Sequence, residues 1–399
     1  MQTEHTYTLK PAHIMLMAVC TGLIVANIYY CQPLVVLISK EFGIEESRAG
    51  FITFLTQAGY ALGLLFFVPL GDMLNRRKQI VFTTGLAVIA LLASAFAPSL
   101  TVLEVASVMV GAASIIPQLI LPLAANLSEP DKRGKVVGTI MSGLLIGILL
   151  SRTLSGFVGA WLGWRYMFGI AAIISTALLF IMHFTFPESK PHFTGTYGSL
   201  MRSLLTLIKE QPLLREAASM NALAFATFGM FWTTMVLHFS GEPFHYSSNT
   251  IGLFGLAAAA GALFAPLVGG SADKRNPRIA IGYGIVAILA GYILFYIFSL
   301  SVIGIIIGIV LIDLGMQCIH VSNQSRIYAL LPNARNRLNT VFMTMSFIGT
   351  SLGSALGLWA WGTYGWSGVC IAGIALMIAT MGIYALTYKR KKAPVLRIV

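Results

Sequence analysis

Gly71-Asp72-Met73-Leu74-Asn75-Arg76-Arg77-Lys78 is a short charged loop set between two apolar runs. Its pattern returns in the second half of the chain as Gly269-Gly270-Ser271-Ala272-Asp273-Lys274-Arg275-Asn276-Pro277-Arg278. An offset of 201 pairs Asp72 with Asp273 and Arg77 with Arg278. An offset of 202 pairs Pro130 with Pro332, Arg133 with Arg335, Lys135 with Arg337, Gly147 with Gly349, Gly163 with Gly365 and Trp164 with Trp366, without a gap across 35 positions. The same offset pairs Phe42 with Phe244, Gly50 with Gly252 and Gly59 with Gly261. The chain therefore reads as one unit written twice in parallel.

Each copy is too apolar for a soluble core. Hydrophobic residues make up 57% of the 399, charged residues 10%, and the mean hydropathy is +0.82, whereas a soluble domain carries roughly 25% charged residues. The runs Ile14 to Ile38, Ala49 to Leu70, Ile279 to Leu300 and Ser367 to Tyr388 exceed the roughly 18 residues that mark a membrane span. Twelve transmembrane helices are predicted, near 14–38, 49–70, 79–97, 100–127, 135–160, 166–186, 216–239, 249–271, 279–299, 302–329, 338–361 and 367–388. This is an all-α membrane protein of two pseudo-symmetric six-helix bundles. Residues 1–187 form the first half, 188–214 a linker and 215–399 the second half. The linker carries Leu200, Leu204, Leu207 and Ile208 at helical spacing and is expected to lie on the membrane surface. The polar stretch Met1 to Lys10 has one basic residue and precedes a full span, so no cleavable signal is expected.

A net charge of +12 invites a nucleic-acid reading, but the basic residues are distributed as topology signals. With the N-terminus inside, 22 of the 26 Lys and Arg fall in cytoplasmic segments, three outside at Lys40, Arg48 and Arg165, and one, Arg152, within a span. That asymmetry places both termini in the cytoplasm and removes nucleic acid as an expected partner. The four cysteines, Cys20, Cys31, Cys318 and Cys370, all lie in apolar runs and read as small buried hydrophobes, with no metal-ligand spacing. No phosphate-binding Gly-Lys-Ser/Thr loop and no zinc spacing occur. Neither an enzyme nor an ATP-driven pump is expected.

The paired loops resemble the hallmark of the major facilitator superfamily, whose members carry an acidic and basic loop after the second span of each half. Asn27-Ile28-Tyr29-Tyr30-Cys31-Gln32-Pro33, Gly163-Trp164-Arg165 and Ser322-Asn323-Gln324 look like segments of bacterial members near the drug:proton antiporter group. The resemblance implies a multi-pass protein of the bacterial cytoplasmic (inner) membrane and secondary transport by alternating access. It further implies no cofactor beyond the proton gradient as energy source, a small-molecule substrate, the lipid bilayer as surroundings, and action as a monomer. Asp72, Arg76, Arg77, Asp273 and Arg278 are the gate motif, able to make charge-assisted bonds across the cytoplasmic surface. The chain departs from the antiporters in the fifth span, where their Gly-Pro pair has become Ser151-Arg152. In the fourth span Ser107 stands where they have arginine, and the first span lacks an acid.

The remaining intramembrane polar residues are the candidate site. Arg152 near a bilayer centre costs about 2.5–3.5 kcal/mol on insertion scales, so it needs a partner or a wet cavity. Snorkelling to the nearer interface is the competing reading. Glu104, which shares a helix face with Ser107, Gly111 and Gln118, is a possible partner. In the tenth span Asp313, Gln317, His320 and Gln324 line one face at i, i+4, i+7 and i+11. Asp313, Glu104 and His320 are the proton-coupling candidates. Arg152, Gln317, Gln324, Gln118, Asn27, Tyr30, Gln57 and Trp232 are the substrate-binding candidates, because an apolar wall with a few convergent polar groups suits a small organic ligand. Three functions stay open: proton-coupled efflux, transport of an organic anion such as a carboxylate or siderophore in either direction, and a receptor that no longer transports.

Overall fold

The computed structural model describes residues 10–129, 132–188, 195–258, 277–331 and 334–388. Among them the fold is all-α with no strand, in agreement with the sequence. The helices are α1 (Pro11–Val25), α2 (Val35–Phe42), α3 (Glu46–Phe66), α4 (Arg76–Ala95), α5 (Leu100–Ala113), α6 (Ile116–Leu127), α7 (Arg133–Leu162), α8 (Trp164–Thr185), α9 (Tyr197–Glu210), α10 (Pro212–Ser240), α11 (Pro277–Ile297), α12 (Val302–Tyr328) and α13 (Arg335–Tyr388). Residues 249–258 are helical as well; the rest of the predicted eighth span lies outside the described residues. Among the described residues, ten segments are long and apolar enough to cross a membrane. One of these, α13, is two spans joined at Gly365, whose φ of 62° and ψ of −153° are not helical.

The sequence repeat is visible in the way the helices begin and end. Ser99 and Ser301, 202 positions apart, each accept a backbone N–H at the start of a helix, from Val102 and Gly304 respectively. Gly163 and Gly365, the same distance apart, have φ of 101° and 62°. Only glycine adopts such angles without strain, so both mark the break between the last two spans of a half. Trp164 and Trp366 follow directly, and each indole N–H is tied down, to Glu41 Oε2 at 2.5 Å and to the Phe295 carbonyl at 3.0 Å.

Two predicted spans are interrupted. The first breaks into two 3₁₀ stretches, Ala26–Ile28 and Gln32–Leu34, between α1 and α2. Pro33 removes one donor there, and the Ser155 hydroxyl bonds the Tyr30 carbonyl, occupying an acceptor the helix ladder leaves over. The fourth span pauses at Ser114 and Ile115 before α6 starts at Ile116, with Pro117 in its first turn.

The described residues fall into two compact units, Met1–Leu205 with Trp232–Ala260, and Thr206–Phe231 with Gly261–Val399. Within the first, α1 and α7 cross where a Cβ on Gly147 would overlap the Gly22 carbonyl oxygen. Within the second, α10 and α13 cross the same way, with Gly349 on the Ala222 carbonyl. Small residues at a crossing let two backbones approach closely in a medium that supplies no hydrophobic drive between helices. At a helix-end corner of the first unit, Arg165 donates to Glu41 Oε1 at 2.8 Å and to the Ala95 carbonyl at 3.2 Å, which joins the ends of α2, α4 and α8.

Candidate functional site

In the first unit the broken first span meets α7 at Arg152. Arg152, on α7, is 2% exposed. Its Nε donates to Gln32 Oε1 at 2.8 Å, and its guanidinium carbon lies 4.0 Å from the centroid of one Trp232 ring and 4.8 Å from that of Tyr29. Two aromatic faces and an amide oxygen thus hold the cation well inside the protein. The expected partner, Glu104, is engaged by Arg48 at 2.5 Å. The bond from Arg152 fixes the Gln32 amide with its oxygen toward the arginine, so Gln32 Nε2 points elsewhere. That nitrogen and Asn27 Nδ2 are both buried, with no hydrogen-bond partner among the described residues. Gln57, Gln118 and Tyr60 are buried in the same unit, the last two sharing a side-chain hydrogen bond. Tyr30 is 1% exposed and its carbonyl accepts from Ser155.

Of the residues that surround Arg152, sequence reasoning missed Tyr29, while Gln32 reads with Asn27 and Tyr30 as a polar or aromatic group of the first span and not as a partner of Arg152. Tyr29 and Gln32 stand in a quoted motif, yet a continuous helix over 14–38 gave no reason to turn both toward α7. The breaks flanking Tyr29 supply that reason. Pro33 was the available signal.

In the second unit the α12 stripe divides into separate networks. Gln324 Nε2 donates to Asn339 Oδ1 at 3.1 Å and lies 3.3 Å from the Tyr328 hydroxyl, which itself donates to Asn339. Higher on the helix, His320 Nδ1 is 3.2 Å from Asn221 Nδ2, and the ring sits against Phe225 and Phe342. Asp313 is buried and Gln317 half-buried. His320 and Gln324 therefore belong to different clusters despite sharing a stripe.

The gate motif is also rearranged. Arg76 donates to Asp72 Oδ1 and to the Gly71 carbonyl, both at 3.1 Å, while Arg77 lies 3.6 Å from Glu188. Asn75 caps α4 by accepting from the Arg77 and Lys78 backbone N–H groups. Asp273 lies outside the described residues. Arg278 is 1% exposed and sits 3.2 Å from Glu216 Oε1, and it donates to the Tyr384 and Thr387 carbonyls at the end of α13. Arg326 bonds the same Glu216 oxygen at 2.7 Å. The buried counterpart of Arg278 is thus Arg76, at an offset of 202, and not Arg77. The second loop is one residue longer between its Asp and its buried arginine, so aligning the acids pairs Arg278 with Arg77 at 201.

Glu216 holds two arginines, so Glu216→Gln is expected to leave both without their charge partner. Breaking a buried pair costs about 3 kcal/mol or more. A clear fall in the detergent unfolding midpoint checks this, and Glu188→Gln, at an exposed pair, serves as the unaffected comparison.

Residues 15–353, and again 217–398, match the family model described as Major Facilitator Superfamily. The chain belongs to this superfamily. The second match begins near the start of the second repeat, as duplication requires. Uncharacterized transporter YgaY of Escherichia coli O157:H7 is 41% identical over 391 residues, covering 98% of this chain and 99% of the relative. Probable transporter SCO4007 of Streptomyces coelicolor is 31% identical over 365 residues, 91% and 85% of the two chains. Among solved structures, the nucleoside transporter NupG aligns with a TM-score of 0.76 at 11% identity, over 94% of this chain and all of that one. A D-xylose-proton symporter aligns with a TM-score of 0.68 at 16% identity, over 92% and 96%. At such identities the structures speak for the fold. The chain is a multi-pass membrane protein of the superfamily's secondary-transporter type, which is not an enzyme class.

Proposed function

We propose that the protein moves a small organic anion across the bacterial cytoplasmic membrane by alternating access, with Arg152 as the residue that recognises the charge. The carrying observation is the composition of the cluster on the broken first span. Arg152, Gln32 Nε2 and Asn27 Nδ2 are all donors, the last two with no hydrogen-bond partner among the described residues, so the ligand that completes them is rich in acceptors. A carboxylate on a flat apolar body meets that demand, since guanidinium binds planar oxyanions through its forked donors and Trp232 and Tyr29 offer aromatic faces. Gln57 and Gln118 supply further polar groups in the same unit.

Export is the proposed direction, in keeping with relatives such as the Probable sugar efflux transporter of Helicobacter acinonychis, 23% identical over 80% of this chain. Asp313, 6% exposed on α12, is the proposed proton carrier, because acids inside membrane spans are costly and usually functional. The halves 1–187 and 215–399 rock about the linker 188–214, with both termini in the cytoplasm in accord with the basic segments.

Proteoliposomes test the reading with radiolabelled benzoate and its neutral analogue benzyl alcohol, the latter corrected for leak through protein-free vesicles. Protein-dependent flux of benzoate alone is expected. Flux of neither compound, or of the alcohol alone, overturns the anion assignment. An Asp313→Asn variant is expected to carry benzoate at a rate indifferent to a pH gradient; gradient-driven transport in that variant removes Asp313 from coupling.

A further inference from the structure

The crossing of α11 and α12 in the second unit leaves a concavity on its outer side. A Cβ on Gly284 would lie 2.5 Å from the Gly315 carbonyl oxygen, and a Cβ on Gly315 would lie 2.5 Å from that of Gly284. The two backbones therefore touch, and the side chains next to them stand apart as walls. The space between the walls is a cavity of about 320 Å³ lined by Tyr283, Gly284 and Ala287 of α11 and by Leu314, Gly315 and Cys318 of α12. Packing voids in protein interiors seldom exceed the size of a water molecule, whereas ligand pockets begin at about 300 Å³. Gly284, Gly315 and Cys318 are buried and form the floor, Ala287 and Leu314 are half-buried, and Tyr283 at the rim is 61% exposed. The rim continues into the exposed apolar side chains Ile279 and Val286 of α11 and Val321 of α12. In a multi-pass membrane protein, such an apolar outer surface faces lipid tails.

Depth decides what can enter. Gly315 is the central residue of α12, thirteen positions from either end. At 1.5 Å per residue it lies about 20 Å from each helix end, while half of the hydrocarbon core is about 15 Å. The floor is thus close to the bilayer midplane, beyond the reach of headgroups and water. Apart from the Tyr283 hydroxyl and the Cys318 sulfur, the lining side chains are hydrocarbon or hydrogen. A polar solute would lose its hydration there without replacement. A flexible hydrocarbon restores the dispersion contacts that an unfilled notch forfeits. We infer that this groove is a binding site for one acyl chain of a membrane phospholipid, entering from the bilayer between α11 and α12. The site is independent of how Arg152 recognises a solute.

The test uses the purified full-length protein in detergent with a trace of phosphatidylethanolamine that carries a diazirine near the end of one acyl chain. After illumination, peptide mass spectrometry should find label on residues 283–287 and 314–318 at least about fivefold above that on the exposed α8 face of Ile173, Phe180 and Phe184, since a site retains lipid that a mere surface gives up to detergent. Ala287→Phe, which fills the groove from one wall, should bring its label down to the α8 level, and Ala287→Ser should leave it high. Leu314→Trp, from the opposite wall, should act as Ala287→Phe does. Label in the wild type no higher than on α8, or label that survives either filling variant in protein with a normal size-exclusion profile, overturns the inference. A disulfide-linked dimer formed in native membranes by Tyr283→Cys also overturns it, because a second copy of the chain would then cover the groove.

Discussion

Arg152→Gln is expected to reduce benzoate flux in proteoliposomes by at least about 100-fold, and Arg152→Lys to recover only a small part. Glutamine keeps a donor but deletes the charge, and a buried charge-assisted contact is worth about 2–5 kcal/mol when one side is removed. Lysine keeps the charge and loses the fork: it cannot bond Gln32 through an Nε and present two parallel N–H groups to a carboxylate at the same time. It also loses the flat cation that Trp232 and Tyr29 hold at 4.0 and 4.8 Å. Protein amount in the vesicles must stay equal across the three forms. Trp232→Leu is the second arm, expected to weaken benzoate transport less than loss of the charge does. Flux within about twofold of wild type for Arg152→Gln would assign the residue to packing.

Gly349→Val is expected to prevent accumulation of folded protein in the membrane. A Cβ there would overlap the carbonyl oxygen of Ala222 and crowd its Cα, all of it backbone that no rotamer change can move. The two helices would have to separate, and with them the Asn221 and Ser346 side chains, which lie one and three residues from the crossing and bond at 2.6 Å. Gly349→Ala is the milder form and is expected to fold with a lowered midpoint. Gly147→Val should behave alike, because a Cβ there overlaps the Gly22 carbonyl in the first unit. Size-exclusion profiles and membrane yield read the outcome. Gly138→Val, at a position with nothing within 4 Å of the added carbon, is the comparison that should accumulate normally.

The architecture was legible because its determinants are local or repeated. Apolar run length sets the spans, the placement of Lys and Arg predicts orientation, and Gly163 with Gly365 punctuates each half at one offset. Even the N-caps Ser99 and Ser301 obey that offset. The candidate cluster was legible in some of its members, Tyr29 not among them, and not in their pairing. Arg152 and Trp232 could be nominated from polarity and helical spacing, but their contact depends on how helices far apart in sequence pack. Glu104 looked suitable for Arg152 because both are charged within spans. Arg48, near the start of α3, lies closer to it and takes it. The α12 stripe was real as a face, yet a helical face runs past several neighbours. His320 meets Asn221 on α10, whereas Gln324 meets Asn339 on α13. Period alone cannot tell such neighbours apart. The interruption of the first span was hidden by the apolar runs on either side, which let Pro11–Phe42 read as one membrane segment despite Asn27, Gln32 and Pro33 within it.

Alternating access itself is open to direct test through Gln317, half-buried on α12. The four native cysteines are buried, so background labelling by a membrane-impermeant maleimide should be small. In Gln317→Cys, reaction is expected from each side of sealed, oriented vesicles, and benzoate should speed labelling from one side while slowing it from the other. Labelling confined to one side, at a rate benzoate does not alter, would contradict transport by this protein.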